Sequence, residues 1–137
     1  ENGAVMRSLC AELALTAESL TEVPELTSVG RRLAAGVAAL ERATDWLLAN
    51  RGAPSLAAAT PYLKLAGDVI GAAMLGRQAL LATEGAAAGS DDPWLKGKAA
   101  LARVFAGQVL AQAPGLADGL MDGADDLEAT PAAALAS

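Results

Sequence analysis

Residues Leu26 to Leu48 read LTSVGRRLAAGVAALERATDWLL, and the spacing within them decides the fold. Leu26, Val29, Leu33, Val37, Leu40 and Leu47 recur at steps of three, four or seven, while Arg31, Arg32, Glu41, Arg42 and Asp45 fall between them. That is the one-sided pattern of an amphipathic helix, not the strict alternation of a strand. Composition agrees, because apolar residues make up 53% of the chain and aromatics only 3%. The apolar mass is Ala and Leu, which favour helix, with few of the β-branched and aromatic residues that favour strands. An all-α fold follows.

Working outward, this helix covers about residues 25–50, bounded by the Thr21–Pro24 break and by Asn50-Arg51-Gly52, where Gly tolerates the left-handed conformation that ends helices. Before it, about residues 4–20 place Met6, Leu9, Leu13, Ala17 and Leu20 on one face. After it, a third helix is expected over about 55–84 with Leu63, Ile70, Met74 and Leu81 as its core stripe. Pro61 there either caps the helix with Thr60 or kinks it, and a bend is the favoured reading. Gly67, Gly71 and Gly76 each cost about 1 kcal/mol relative to Ala, which is tolerable if a neighbouring helix approaches closely. Gly85 to Ser90 read as a loop. Asp91-Asp92-Pro93 is an Asx cap followed by proline in the first turn, opening a fourth helix over about 92–127. Its apolar side carries Leu95, Ala102, Phe105, Val109, Leu116, Leu120 and Leu127, and Pro114 is expected to kink or divide it. Residues 129–137 read as a frayed tail. With 137 residues the chain fits one domain. Four amphipathic helices on short loops predict an antiparallel, up-down-up-down four-helix bundle.

Several chemistries are excluded by composition. The chain has no histidine, which removes the commonest general base, the commonest zinc ligand and every Ser-His or Cys-His nucleophile. Cys10 stands alone, so no internal disulfide forms, and its position on the first helix reads as a small buried apolar group. A net charge of −6 opposes nucleic acid. The longest uncharged interior run, Val104 to Ala117, is too short for a membrane span, which needs roughly 18 apolar residues. A soluble cytoplasmic domain is expected, and the start at Glu1 suggests a piece of something larger. Asp118, Asp122, Asp125 and Asp126 sit at helical spacing but read as a solvated acidic helix end; no metal is expected. Gly115, Gly119 and Gly123 match no phosphate-binding motif and read as small-residue packing. Residues 51–110 hold six bases against four acids, and Lys64, Arg77, Lys96, Lys98 and Arg103 either meet an anionic ligand or form an ordinary charged surface. Trp46 and Trp94 are either interface anchors or seals at the ends of a core.

Two longer stretches carry a family resemblance. Ala59-Thr60-Pro61-Tyr62-Leu63-Lys64-Leu65-Ala66-Gly67 with Gly76-Arg77-Gln78-Ala79, and Lys96-Gly97-Lys98-Ala99-Ala100-Leu101-Ala102-Arg103-Val104-Phe105, resemble the third and fourth helices of a C-terminal helical domain. That domain occurs in acyl-CoA dehydrogenases of the methylmercaptopropionyl-CoA dehydrogenase-like branch. Ala43-Thr44-Asp45-Trp46-Leu47-Leu48, Val109-Leu110, Pro114 and Gly123-Ala124-Asp125-Asp126-Leu127 are similar as well. The resemblance implies a parent enzyme that removes an α proton with a carboxylate base and passes the β hydrogen to FAD as hydride. It places flavin, acyl-CoA pocket and base upstream, so no catalytic, cofactor-binding or metal residue is assigned to these positions. Lys64, Arg77, Lys98 and Arg103 match the family pattern and are expected to support docking to the catalytic core.

The chain is thus expected to be a structural C-terminal domain bracing the dehydrogenase core or a subunit interface, with the core and further copies of itself as partners. The rival reading is a free-standing helical module for interaction or oligomerisation. Peripheral membrane attachment through an amphipathic helix is the weakest option, because such helices are usually basic and this chain is acidic.

Overall fold

A computed structural model describes residues 2–131 and Ala134. The fold is all-α, and no strand occurs among the described residues. In order come α1 (Asn2–Thr21), a 3-10 turn at Pro24–Leu26, α2 (Thr27–Ala49), α3 (Ala53–Ala87), α4 (Pro93–Gln108), a second 3-10 turn at Leu110–Gln112, and α5 (Ala113–Ala129). These are four rods, the last of them divided. The single helix expected over 92–127 is two helices because Pro114 has no N–H to carry a helix through. It falls in the first turn of α5, where none is needed, and the Ala113 N–H closes the preceding turn on the Leu110 carbonyl. Of the expected frayed tail, Ala129 closes α5, and 132, 133 and 135–137 lie outside the described residues.

The start and stop signals act as read. Asp92 accepts a hydrogen bond from the Trp94 N–H at 3.0 Å, with Pro93 next in the chain. Gly52 takes φ 101° between α2 and α3. Helix α3 outlasts its expected end, since Gly85 to Ala87 remain helical and the stop is Gly89 at φ 97°. There the Ser90 N–H reaches the Gly85 carbonyl and the Gly89 N–H that of Ala86, a Schellman closure. Helix α3 also passes Pro61 unbroken.

The core is built from the expected faces of α1 and α2: Leu13, Leu20, Leu26, Val29, Leu33 and Leu40 are buried, as is Cys10. Two helix glycines explain how closely these rods pack. A Cβ on Gly30 would lie 2.6 Å from the Thr21 nitrogen and 2.7 Å from the Ala17 carbonyl oxygen, and one on Gly76 would lie 2.7 Å from Leu20 Cδ1. The only large side chain of α3 that is fully buried apart from Val69 is Leu65, and around them the buried face is Ala58, Ala72, Ala73, Gly76, Ala79 and Ala82.

That face corrects the expected core stripe of α3. Leu63, Met74 and Leu81 are 70%, 58% and 68% exposed, and Ile70 is half-buried. The reason lies in size: the alanine side lets the neighbouring rods approach more closely than the leucine side would, so the alanines are turned inward. The glycine expectations divide as well. A Cβ on Gly71 would lie 3.7 Å from the Phe105 ring, whereas one on Gly67, Gly115, Gly119 or Gly123 would have nothing within 4 Å. The α5 glycines face away from Ala113, Ala117, Leu120 and Ala124, which make the buried side of that helix.

Candidate docking surface

The leucine side of α3 is the most unusual surface of the molecule. Leu56, Leu63, Ile70, Met74 and Leu81 are spaced by seven, seven, four and seven residues, which on a helix returns to within about 40° of one line. Helix α4 lies beside this row, with Gly85 against Leu95 and Gly71 against Phe105. It adds the exposed Trp94, Leu101 and Val104. Large apolar residues gathered on one face differ from the scattered exposure of ordinary surfaces and mark sites of association.

Three of the four residues expected to support docking border this row. Arg77 Nε donates to Thr16 Oγ1 at 3.2 Å, on the α1 side of it. Lys98 Nζ donates to Gln78 Oε1 at 3.0 Å and lies 4.5 Å from the centre of the Trp94 ring, on the α4 side. Lys64 follows Leu63 in the chain and pairs with Asp68 at 2.8 Å. Arg103 is elsewhere: nine residues past Trp94, half a turn round α4, it donates to the Glu25 carbonyl at 3.4 Å and closes α4 on the first 3-10 turn. The tryptophans separate too, Trp46 packing against the core and Trp94 standing 61% exposed.

The apolar row itself was not visible as a surface in the sequence, since the same residues serve equally well as a core stripe. The one available signal was the competing Ala-Gly stripe half a turn away. By length and composition α3 also passes as a membrane-crossing helix, with a mean hydropathy of 1.2 over its best window. That test is met by bundle cores as well, and α3 packs against each of the other four helices.

The remaining polar groups are engaged in structure. Thr44 Oγ1 donates to the Leu40 carbonyl at 2.7 Å, so the 2.8 Å contact with Tyr62 is donated by the tyrosine hydroxyl. Among the described residues, no buried side-chain polar atom lacks a partner and no group of three His, Cys, Asp or Glu converges as metal ligands would. Asp118 pairs with Arg42 at 3.0 Å. A groove of about 540 Å³ between α1 and α2 has a floor of small side chains that includes Ala14, Ala17 and Ala38, and its charged lining is Glu18, Glu22 and Glu41.

A family model described as acetyl-CoA dehydrogenase C-terminal like matches residues 5–131. No curated protein and no solved structure matches the chain.

Proposed function

The chain belongs to the acetyl-CoA dehydrogenase C-terminal-like family, and from that premise we propose that it braces the catalytic core or a subunit interface of an FAD-dependent acyl-CoA dehydrogenase. It does so as the enzyme's non-catalytic C-terminal helical domain. The observation that carries this reading is the exposed row of Leu63, Met74 and Leu81 on α3 with Trp94 and Leu101 on α4. Burying it against a partner removes apolar surface from water, and Lys64, Arg77 and Lys98 at its border set orientation through charge. Arg103 is a structural residue in this reading.

The parent reaction is α,β-dehydrogenation of an acyl-CoA thioester in the methylmercaptopropionyl-CoA dehydrogenase-like branch, in the cytoplasm. Flavin chemistry is assigned to the core, because the residues here do not fit FAD. A pyrophosphate seeks cations or free helix N–H groups, whereas the α1/α2 groove lines itself with carboxylates and the α4 N-terminus is capped by Asp92. The four rods form an up-down-up-down bundle, bent at Pro61 and at the turn before Pro114. Supporting pairs are Arg7 with Asp45 at one end of α1 and α2 and Ala17 with Gly30 at the other, together with Thr44–Tyr62 between α2 and α3.

The test is to purify the chain alone and then mix it with the dehydrogenase core encoded beside it. The expected result is a colourless protein that binds the core, with binding lost in Leu63→Glu and Leu81→Glu while helical content is kept. A yellow chain retaining stoichiometric flavin after dialysis overturns the proposal, as does a core that ignores the chain. An upstream dehydrogenase core in frame with Glu1 separates this reading from a free-standing module.

A further inference from the structure

The α1/α2 groove and the α3 row are opposites in shape and in charge. The groove exists because Ala14, Ala17 and Ala38 end at Cβ, leaving a trough of about 540 Å³ along the outer seam of the helix pair. Its charged lining residues are Glu18, Glu22 and Glu41 and no base; among the described residues these three form no ion pair. The α3 row is a ridge of long apolar side chains, bordered by Arg77 on the α1 side and by Lys98 on the α4 side. An apolar ridge flanked by cations fits an alanine-floored trough edged by carboxylates, which is the complementarity of shape and potential that specific interfaces show.

We propose that the α3 ridge of one copy seats in the α1/α2 groove of a second copy, with Arg77 and Lys98 meeting Glu18, Glu22 and Glu41. This rests on the reading of the α3 row as a docking surface and takes its subunit-interface form, so a second copy and the core compete for the same ridge. Ridge and groove belong to different helix pairs of the same chain, so the contact is heterologous. Each copy engaged on one side keeps a ridge or a groove free, and copies add head to tail until a ring closes.

Sedimentation velocity on the 137-residue chain tests this. Self-association is expected to grow with concentration and to weaken about tenfold or more when ionic strength is raised, since the charges at the rim are open to screening. Glu18→Lys and Arg77→Glu alter exposed side chains and are expected to keep native helical content. Each alone is monomeric. Mixed, they associate again and alternate, because the native ridge of Glu18→Lys meets the native groove of Arg77→Glu and the reversed ridge meets the reversed groove. A chain that stays monomeric at every concentration yet binds the dehydrogenase core overturns the proposal and leaves the assigned function standing. A chain that self-associates as described but ignores the core, or holds flavin, does the reverse. Association untouched by Glu18→Lys overturns it in favour of ridge on ridge, and flotation with anionic vesicles that Arg77→Glu abolishes overturns it in favour of a lipid surface.

Discussion

Cys10 shows how one side chain reports on the fold around it. It is 1% exposed, and burial, then the nearby Glu41 and Asp45 carboxylates, push its thiol above the ordinary value of 9.0. Only the thiolate is nucleophilic, so the native chain is expected to resist a thiol reagent at neutral pH and to react at the rate of its opening; fast stoichiometric labelling would contradict the burial. The sign of the pH effect follows from linkage. Above 9.0 the unfolded chain has released the thiol proton while the native chain still holds it, so the unfolded state binds fewer protons and stability falls as pH rises. Below that value the contribution is complete and constant. Denaturation midpoints from about pH 8 to about pH 10 are expected to decline more steeply in the native sequence than in Cys10→Ala. Position on an apolar helical face sufficed to foresee this burial. The Thr44–Tyr62 hydrogen bond had no such signal, because it joins two helices whose relative register no local pattern encodes. Gly30 makes the same point sterically. Its added Cβ would meet backbone atoms of Thr21 and Ala17, which have little freedom to yield, and Gly30→Ala is expected to cost about 1–3 kcal/mol in chemical denaturation.

At the scale of the element, α3 is where sequence and structure part. Helices α1 and α2 each have one apolar and one charged side, so periodicity identified their buried faces correctly. Helix α3 has leucines on one side and Ala, Leu65 and Val69 on the other, and a pattern apolar all round does not say which side turns inward. Residue size decided it. The assignment is checked by a pair of substitutions: Leu65→Ala is expected to cost about 2–5 kcal/mol as a cavity mutation, and Leu63→Ala no more than about 0.5 kcal/mol as a surface one. Equal losses at the two positions would show that the helix is rotated. The same reasoning divides the glycines. Gly76→Ala drives a methyl toward Leu20, whereas Gly119→Ala enters open space inside α5. The first is expected to destabilise by about 1–3 kcal/mol, and the second to stabilise by about 0.5–1 kcal/mol through helix propensity alone. Of the residues proposed for docking, Lys64, Arg77 and Lys98 were legible as part of a locally basic stretch, but the apolar row they border was not, for the reason that misassigned the core. Arg103 was grouped with them because all four match the family pattern, which carries no signal for the half turn that takes it to the far side of α4.

Over the whole molecule the rods are not equal. Helix α2 touches every other helix, and Leu33 and Leu40 along it are fully buried. Helix α1 rests on α2, α3 and the first 3-10 turn, and its outer seam with α2 is the open groove. Stability is therefore expected to be graded, since regions with few buried apolar contacts open at lower free energy than the global transition. Native-state amide exchange in low denaturant is expected to show α2 and the Leu65–Val69 turn of α3 exchanging only through global unfolding, and α1 through a cheaper opening that leaves the other rods folded. Occupying the groove would tie α1 to a second surface and raise the cost of that opening, because whatever binds only the closed form stabilises it by mass action. The protection of α1 is accordingly expected to rise with protein concentration in the native chain and to stay flat in Arg77→Glu. A slope on α1 that persists in that variant would separate groove closure from the ridge, and uniform exchange across all the rods would show that the bundle opens as one unit.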